Sequence, residues 1–317
     1  MGDEEQADGL GVFRGLRAAL GLAVLGQDGA MDALSDALLA GELGHGSPGR
    51  PRSLILVLGP TGTGKTRSVL AASAHLFGEG GVARVNCAEF SSAERVPLLL
   101  GRGRGEDGLL GLRICAARAR GGRILLLDEI EKAHPSVADH LLGIEEASLT
   151  TAGGELDLSD MHVIATSNVG SSGVIEMDSL PPASVRRYVE QAAASQFRPE
   201  VLARFTAVLV FRHLPREVQV GICSKMLGDE LRHQSAVLSR AFGHPHEVTA
   251  DPAVCRVLVS EGWHRRLGAR PMRNVVERRL RGALVEGRLA GVLAPGVPAS
   301  VIVAGADGGL RAQALSA

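Results

Sequence analysis

The sequence predicts an α/β protein: a five-stranded parallel sheet layered by helices, then a smaller and mostly helical domain. Three observations predict it. Five short apolar runs, Leu54–Leu58, Val82–Asn86, Ile124–Leu127, His162–Thr166 and Ala207–Phe211, alternate with stretches of helical spacing. Runs this short and this rich in Val, Ile and Leu read as strands covered on both faces, and alternation with helices is the pattern of a parallel sheet. After Phe211 the strand signal fades and helical spacing takes over. The length, 317 residues, exceeds one ordinary domain of roughly 100–200 residues.

Taken in order, Val12–Leu43 carries Leu, Ala and Val at helical spacing, broken by Gly26-Gln27-Asp28-Gly29, which predicts two helices joined by a turn. Gly44–Arg52 (GHGSPGRPR) is a loop by composition. The five strands and their intervening helices follow. Pro215 then opens a helix to about Arg240, Asp251-Pro252 supplies an N-cap and first position for a second, and a third runs from Pro271 to about Leu289. Ser300–Val303 reads as a small strand, and the small, polar residues after Gly305 read as a frayed end. This divides the chain into an extension (1–19), a large α/β domain (20–212), a small helical domain (213–305) and a flexible tail (306–317).

Composition narrows the function. Hydrophobic residues are 45% and charged residues 22%, enough to build a core, which excludes wholesale disorder. The 34 basic residues are balanced by 35 acidic ones, so a protein that grips nucleic acid by charge is not expected, and 3% aromatics leave few side chains for base stacking. Cys87, Cys115, Cys223 and Cys255 form no C-x-x-C pair, which disfavours a zinc site or disulfide scaffold and fits a reducing compartment. With an acidic start (MGDEEQADG) and no apolar run of 18 residues, the expectation is a cytoplasmic protein with no membrane partner.

The strongest motif is Gly59-Pro60-Thr61-Gly62-Thr63-Gly64-Lys65-Thr66, which fits G-x-x-x-x-G-K-[ST] and lies between an apolar strand and a helical stretch. The glycines let the backbone wrap phosphates with its N–H groups inward, and the helix N-terminus adds positive potential. Lys65, one of only three lysines, reaches the β- and γ-phosphates of ATP, and Thr66 offers its hydroxyl to Mg²⁺. The strand Ile124–Leu127 ends in Asp128-Glu129. Asp128 suits the Mg²⁺ shell, and Glu129 suits polarising a water for attack on the γ-phosphate. Asn168, at the end of HVIATSN, is placed to orient that water.

The motifs GPTGTGKT, LLLDEIEKAH, TSNVGS, FRPEVLARF and GARPMR occur in that order. Together they resemble the second ATPase module of Clp-type AAA+ remodelling proteins, the ClpA/ClpB group, over about residues 20–305. The resemblance implies a P-loop α/β/α sandwich with a helical lid, working as a homo-oligomeric ring, usually a hexamer, with ATP between subunits. It implies that Val24 and Leu25, beside LGQDGAMDALSDAL, line the adenine pocket. It places Arg204 at the family's arginine finger, acting on a neighbour's ATP, and Arg270 at the lid's sensor arginine.

Two departures bear on the output. The family threads substrate with an aromatic pore loop, whereas Leu99–Leu109 has no aromatic and carries Arg102 and Arg104. No Ile-Gly-hydrophobic tripeptide of the kind that docks the ClpP protease is present. The expected function is ATP-driven remodelling or disassembly of a protein partner or adaptor-bound substrate. The alternative is a non-threading assembly or signalling ATPase whose ring state is the output.

Overall fold

The computed structural model describes residues 11–44, 49–103, 105, 108–142, 147–177 and 180–315. Residues 1–10, and with them the acidic start, lie outside the described residues, as do Arg104, Glu106 and Asp107 of the arginine-bearing loop. The chain falls into two compact units, Met1–His213 and Leu214–Ala317.

In the first unit five parallel strands stand in the order β2-β3-β6-β1-β7: β1 (Ser53–Leu58), β2 (Val82–Asn86), β3 (Ile124–Asp128), β6 (His162–Ser167) and β7 (Ala207–Val210). Every residue of β1, β3 and β6 is buried, as expected of central strands with apolar middles. Alternate residues serve opposite faces. Ile55 and Val57 pack with Leu16 and Leu20 of α1 (Leu16–Ala23) and with Met31, Leu34 and Leu38 of α2 (Asp28–Glu42). Leu54, Leu56 and Leu58 pack on the other side with Leu110 and Ile114 of α4 (Leu109–Arg118) and with Val185 and Val189 of α5 (Pro182–Gln196). The helix α3 (Lys65–Phe77) lies on the α1 side, through Val69 and Ala72. Each fully buried Leu or Ile contributes about 1.5–3 kcal/mol, so the period-2 alternation of the strands holds both helical layers.

The expected extension at residues 1–19 cuts through α1: Leu16 and Leu20, one helical turn apart, are both fully buried, so the large unit begins no later than Leu16. The hairpin β4 (Ser148–Thr151) and β5 (Gly154–Asp157) is an addition with no strong sequence signal, because its strands are short and mostly polar or half-exposed.

The second unit contains α6 (Arg216–Phe242), α7 (Ala253–Gly262), α8 (Met272–Leu289) and a three-stranded sheet ordered β10-β9-β8. β8 (Glu247–Ala250) runs parallel to β9 (Ala299–Ala304), and β10 (Leu310–Leu315) runs antiparallel to it. Helix α7 begins one residue later than expected: the Asp251 carboxylate accepts the Ala253 N–H at 2.7 Å, so the cap is made from one residue further out.

Where a flexible tail is expected at 306–317, residues 310–315 form β10, and residues 316–317 lie outside the described residues. Gly305 and Gly309 close a hairpin turn, with Gly305 N–H donating to Gly309 O at 2.7 Å and Asp307 accepting the Gly309 N–H at 2.9 Å. Leu310 and Ala312 then face inward and Arg311 and Gln313 outward. The inward residues belong to the core of the unit, together with Val276, Leu280 and Leu284 of α8.

A buried polar cluster joins α2 to the N-terminal edge of the large sheet. His162, fully buried, bonds through Nδ1 to Ser53 Oγ at 2.9 Å and through Nε2 to Glu42 Oε1 at 3.0 Å. Glu42 also pairs with Arg52 and Arg123. Burial pushes the Glu42 carboxyl up, but the His162 bond and the two arginines outweigh it and hold it below its ordinary value. Burial pushes the His162 imidazole below its ordinary 6.5, against the opposing pull of Glu42. Both groups are therefore harder to protonate folded than unfolded; the stability His162 contributes is lost as pH falls below about 6.5, and that of Glu42 only below about 4.5. The melting temperature is expected to drop between about pH 7.5 and about pH 5, and to drop less in His162→Gln. Equal pH slopes in the two proteins refute a role for His162 in acid sensitivity.

Candidate nucleotide site

The parallel register assembles the site. Leu58 of β1 pairs with Ser167 of β6, so Gly59 and Asn168 leave adjacent strands side by side. Asp128 ends β3 on the far side of β6. Gly59 through Thr66, Asp128 and Asn168 thus meet at the C-terminal end of the sheet, where α/β folds hold ligands.

Two glycines of the loop are fixed by close approach as well as by backbone angle. At Gly59 (φ +138°) a Cβ would lie 2.4 Å from the Phe211 carbonyl oxygen, and at Gly64 (φ +109°) it would lie 2.7 Å from a Val24 methyl. Val24 is therefore packed on the loop itself, with Leu25 half-buried beside it in the chain. Gln27 ties this segment to the end of β7: its amide donates to Arg212 O at 2.8 Å and accepts from Arg212 N–H at 3.0 Å. Thr63, buried, donates to Pro60 O at 2.8 Å and braces the loop.

Lys65 opens α3 and is only 7% exposed. Its ammonium donates to Gly59 O at 2.7 Å, Pro60 O at 2.9 Å and Asn168 Oδ1 at 2.8 Å. Thr66 Oγ1 donates to Asp128 Oδ1 at 2.8 Å. The same oxygen accepts from Thr166 Oγ1 at 2.6 Å, and Asp128 Oδ2 accepts from the Arg84 guanidinium at 2.7 Å. Burial pushes the Asp128 carboxyl up, and the bonds from Thr166, Arg84 and Thr66 together with the arginine's charge overcome it, so Asp128 is held below its ordinary value as an anion.

Glu129 adopts a left-handed conformation, φ 56° and ψ 49°, uncommon for a residue with a side chain. It is held there from two directions. Its N–H donates to Thr166 Oγ1 at 3.1 Å, and its carboxylate accepts from Lys132 at 2.6 Å. Asn168 Oδ1 also accepts from Thr61 Oγ1 at 3.1 Å, and its Nδ2 donates to Glu131 Oε1 at 2.8 Å.

The donor set fits a phosphate chain with a small hard cation. Thr66 and Asp128 offer two adjacent hard oxygens, and Lys65 and the α3 N-terminus face the same loop. Among the described residues no group of three or more His, Cys, Asp or Glu is able to hold a metal by itself. A cation held by Thr66 and Asp128 would need its remaining ligands from phosphate and water, the donor set that suits Mg²⁺.

Of the two expected arginines, one belongs to each unit. β7 begins opposite Ile55, so Arg204, three residues before β7, sits toward the N-terminal end of the sheet, away from its own loop. Arg270 lies in the second unit, exposed in the turn before α8. Arg102 is exposed in a loop tied to the β4–β5 turn: Gly105 N–H donates to Ala152 O at 3.1 Å, and Ala152 N–H to Leu100 O at 2.8 Å. Sequence reasoning passed over Arg84, Thr166 and Glu131. Arg84 was within reach of strand arithmetic, since it shares a face of β2 with Asn86, the register partner of Asp128. Glu131 had no such signal, because the 3-10 turn Ile130–Lys132 sets its direction.

Comparison with known proteins covers both units. Residues 50–208 match the family described as AAA domain (Cdc48 subfamily), and residues 214–301 match the C-terminal, D2-small domain of ClpB protein. A chaperone protein ClpB from Pseudomonas putida is 34% identical over 262 residues, covering 80% of this chain and 30% of that protein. Heat shock protein 100 from Trypanosoma brucei brucei is 32% identical over 267 residues, covering 81% of this chain and 30% of that protein. A cryo-electron-microscopy structure of Hsp104 in a closed state, with ATPγS and casein, superposes with a TM-score of 0.77 at 25% identity, covering 95% of this chain and 51% of that one. The chain spans about 30% of the length of these two curated relatives. With the nucleotide loop inside the first match and the α6–α8 unit as the second, the chain belongs to the AAA+ ATPase family, as a ClpB-type second ATPase module with its small domain.

Proposed function

We propose that the chain binds and hydrolyses ATP as one subunit of a homo-oligomeric ring, a hexamer by likeness to its relatives, and that turnover remodels or disassembles a protein partner. The observation that carries the reading is the convergence of buried Lys65, the Thr66–Asp128 pair and Asn168 at one end of the sheet. Gly59 through Gly64 wrap the phosphates, and Val24 and Leu25 flank the adenine. Thr66 and Asp128 would hold Mg²⁺, which would neutralise phosphate charge. Glu129 polarises the attacking water and Asn168 orients it. Arg204, at the far end of its own sheet, serves the site of a neighbouring subunit, and Arg270 reports the nucleotide state to the small domain as a lid.

The partner is a protein or an adaptor-bound protein. Near-neutral charge argues against nucleic acid, and the missing tripeptide argues against a ClpP-type protease. No helix among the described residues is long and apolar enough to cross a membrane, and the four unpaired cysteines favour a cytoplasmic setting. Exposed Arg102, in a segment without an aromatic, favours the second reading of a non-threading assembly or signalling ATPase.

The test measures phosphate release and unfolding of a tagged reporter protein by wild type and Arg204→Ala. The variant is expected to bind ATP within about twofold of wild type and to lose about 10³-fold or more in turnover. Normal turnover by the variant rejects the finger. Wild-type turnover without unfolding selects the second reading over the first.

A further inference from the structure

A side-chain amide is able to face a phosphate with its accepting carbonyl or with its donating NH₂. At Asn168 the partners decide which. Lys65 and Thr61 both donate to Oδ1, at 2.8 and 3.1 Å, and an ammonium has donors only. On the opposite side Nδ2 donates to Glu131 Oε1 at 2.8 Å, and an ionised carboxylate has acceptors only. Turning the amide by half a revolution sets ammonium against NH₂ and carboxylate against carbonyl. The second carboxylate oxygen, Glu131 Oε2, is buried and has no hydrogen-bond partner among the described residues. Glu131 is half-buried, and the bond to Asn168 is the side-chain contact that anchors its carboxylate.

Resting on the reading of the site proposed above, we infer that Glu131 is a positioning residue that fixes the polarity of the Asn168 amide. The carbonyl is held toward the nucleotide loop. When Lys65 turns from Asn168 to a phosphate, the side chain then presents an acceptor to a proton of the attacking water, and the water's lone pair is aimed at phosphorus. Glu131 touches neither phosphate nor water in this scheme; it acts through Asn168.

The test swaps the two ends of the bond in the full chain. Asn168→Asp sets two carboxylates against each other, and kcat is expected to fall at least about tenfold, more than the affinity for a fluorescent ADP analogue changes. Adding Glu131→Gln restores a donor and an acceptor with the acceptor again facing Lys65. The double variant is expected to recover kcat severalfold over Asn168→Asp alone, a non-additive gain that a purely structural role for Glu131 does not produce. Both substitutions are nearly isosteric, and thermal unfolding of each variant checks the fold. A double variant no faster than Asn168→Asp overturns the inference. Lys65→Ala serves as the separate control: if it binds the analogue like wild type, the site reading itself fails, whatever the swap gives.

Discussion

Lys65→Ala is expected to abolish measurable nucleotide binding. Each charge-assisted bond from a buried ammonium to phosphate oxygen is worth about 1.5–3 kcal/mol, so losing two of them weakens binding by about 10²-fold or more. The residual affinity falls outside the range of a calorimetric titration at micromolar protein. The empty protein is affected too. Gly59 O, Pro60 O and Asn168 Oδ1 all lose a donor when the ammonium is removed, so the loop relaxes and the melting temperature of the nucleotide-free chain drops a little. The diagnostic is the difference between the two states. Wild type gains stability with ATP by mass action, and the variant gains none. Retained stabilisation by ATP in Lys65→Ala excludes this loop as the phosphate site.

Glu129→Gln is expected to leave ATP affinity unchanged and to reduce turnover by about 10²–10⁴-fold, the range ascribed to a positioned general base. Glutamine keeps the shape that fits the left-handed backbone at φ 56° and still accepts from Lys132, so the local fold is retained while basicity is lost. A protein that binds ATP without consuming it holds its partner, and capture with this variant followed by mass spectrometry identifies what the ring acts on. One stoichiometric companion fits a dedicated remodelling or assembly ATPase. A broad set of unrelated unfolded chains fits a general unfoldase and sets aside the argument from the missing aromatic. Turnover at the wild-type rate removes Glu129 from the chemistry.

The large sheet was legible because its strands have one reading. Leu54–Leu58 and Ile124–Leu127 are apolar throughout, and only a strand buried on both faces uses such a run so briefly. Lys65, Thr66, Asp128 and Asn168 were legible because strand ends are where a parallel sheet collects its polar groups. What escaped depended on small energies or on direction. β10 has the sequence LRAQAL, whose alternation is carried by two alanines and is too weak to distinguish from a polar tail without β9 beside it. The first boundary was misplaced because Leu16 and Leu20 gain their burial from a sheet that lies far on in the sequence. Arg84 and Glu131 escaped because a contact between side chains on different elements depends on register and on turn geometry, which no spacing in one segment encodes.

The position of Arg204 has a consequence for symmetry. A parallel sheet has a head and a tail; here the phosphate loop marks the head, and Arg204 stands toward the tail. If the tail of one copy completes the head of the next, the contact joins unlike patches and is heterologous. An isologous two-fold contact serves both heads only when head and tail share one self-complementary patch, whereas a heterologous contact completes every site by closing into a cycle. A cycle that fails to close becomes a spiral with one unserved head and one idle tail. Closure and spiral then differ by a single seam, and the chain's own polarity makes that seam the only place where a ring of identical subunits is not identical all the way round.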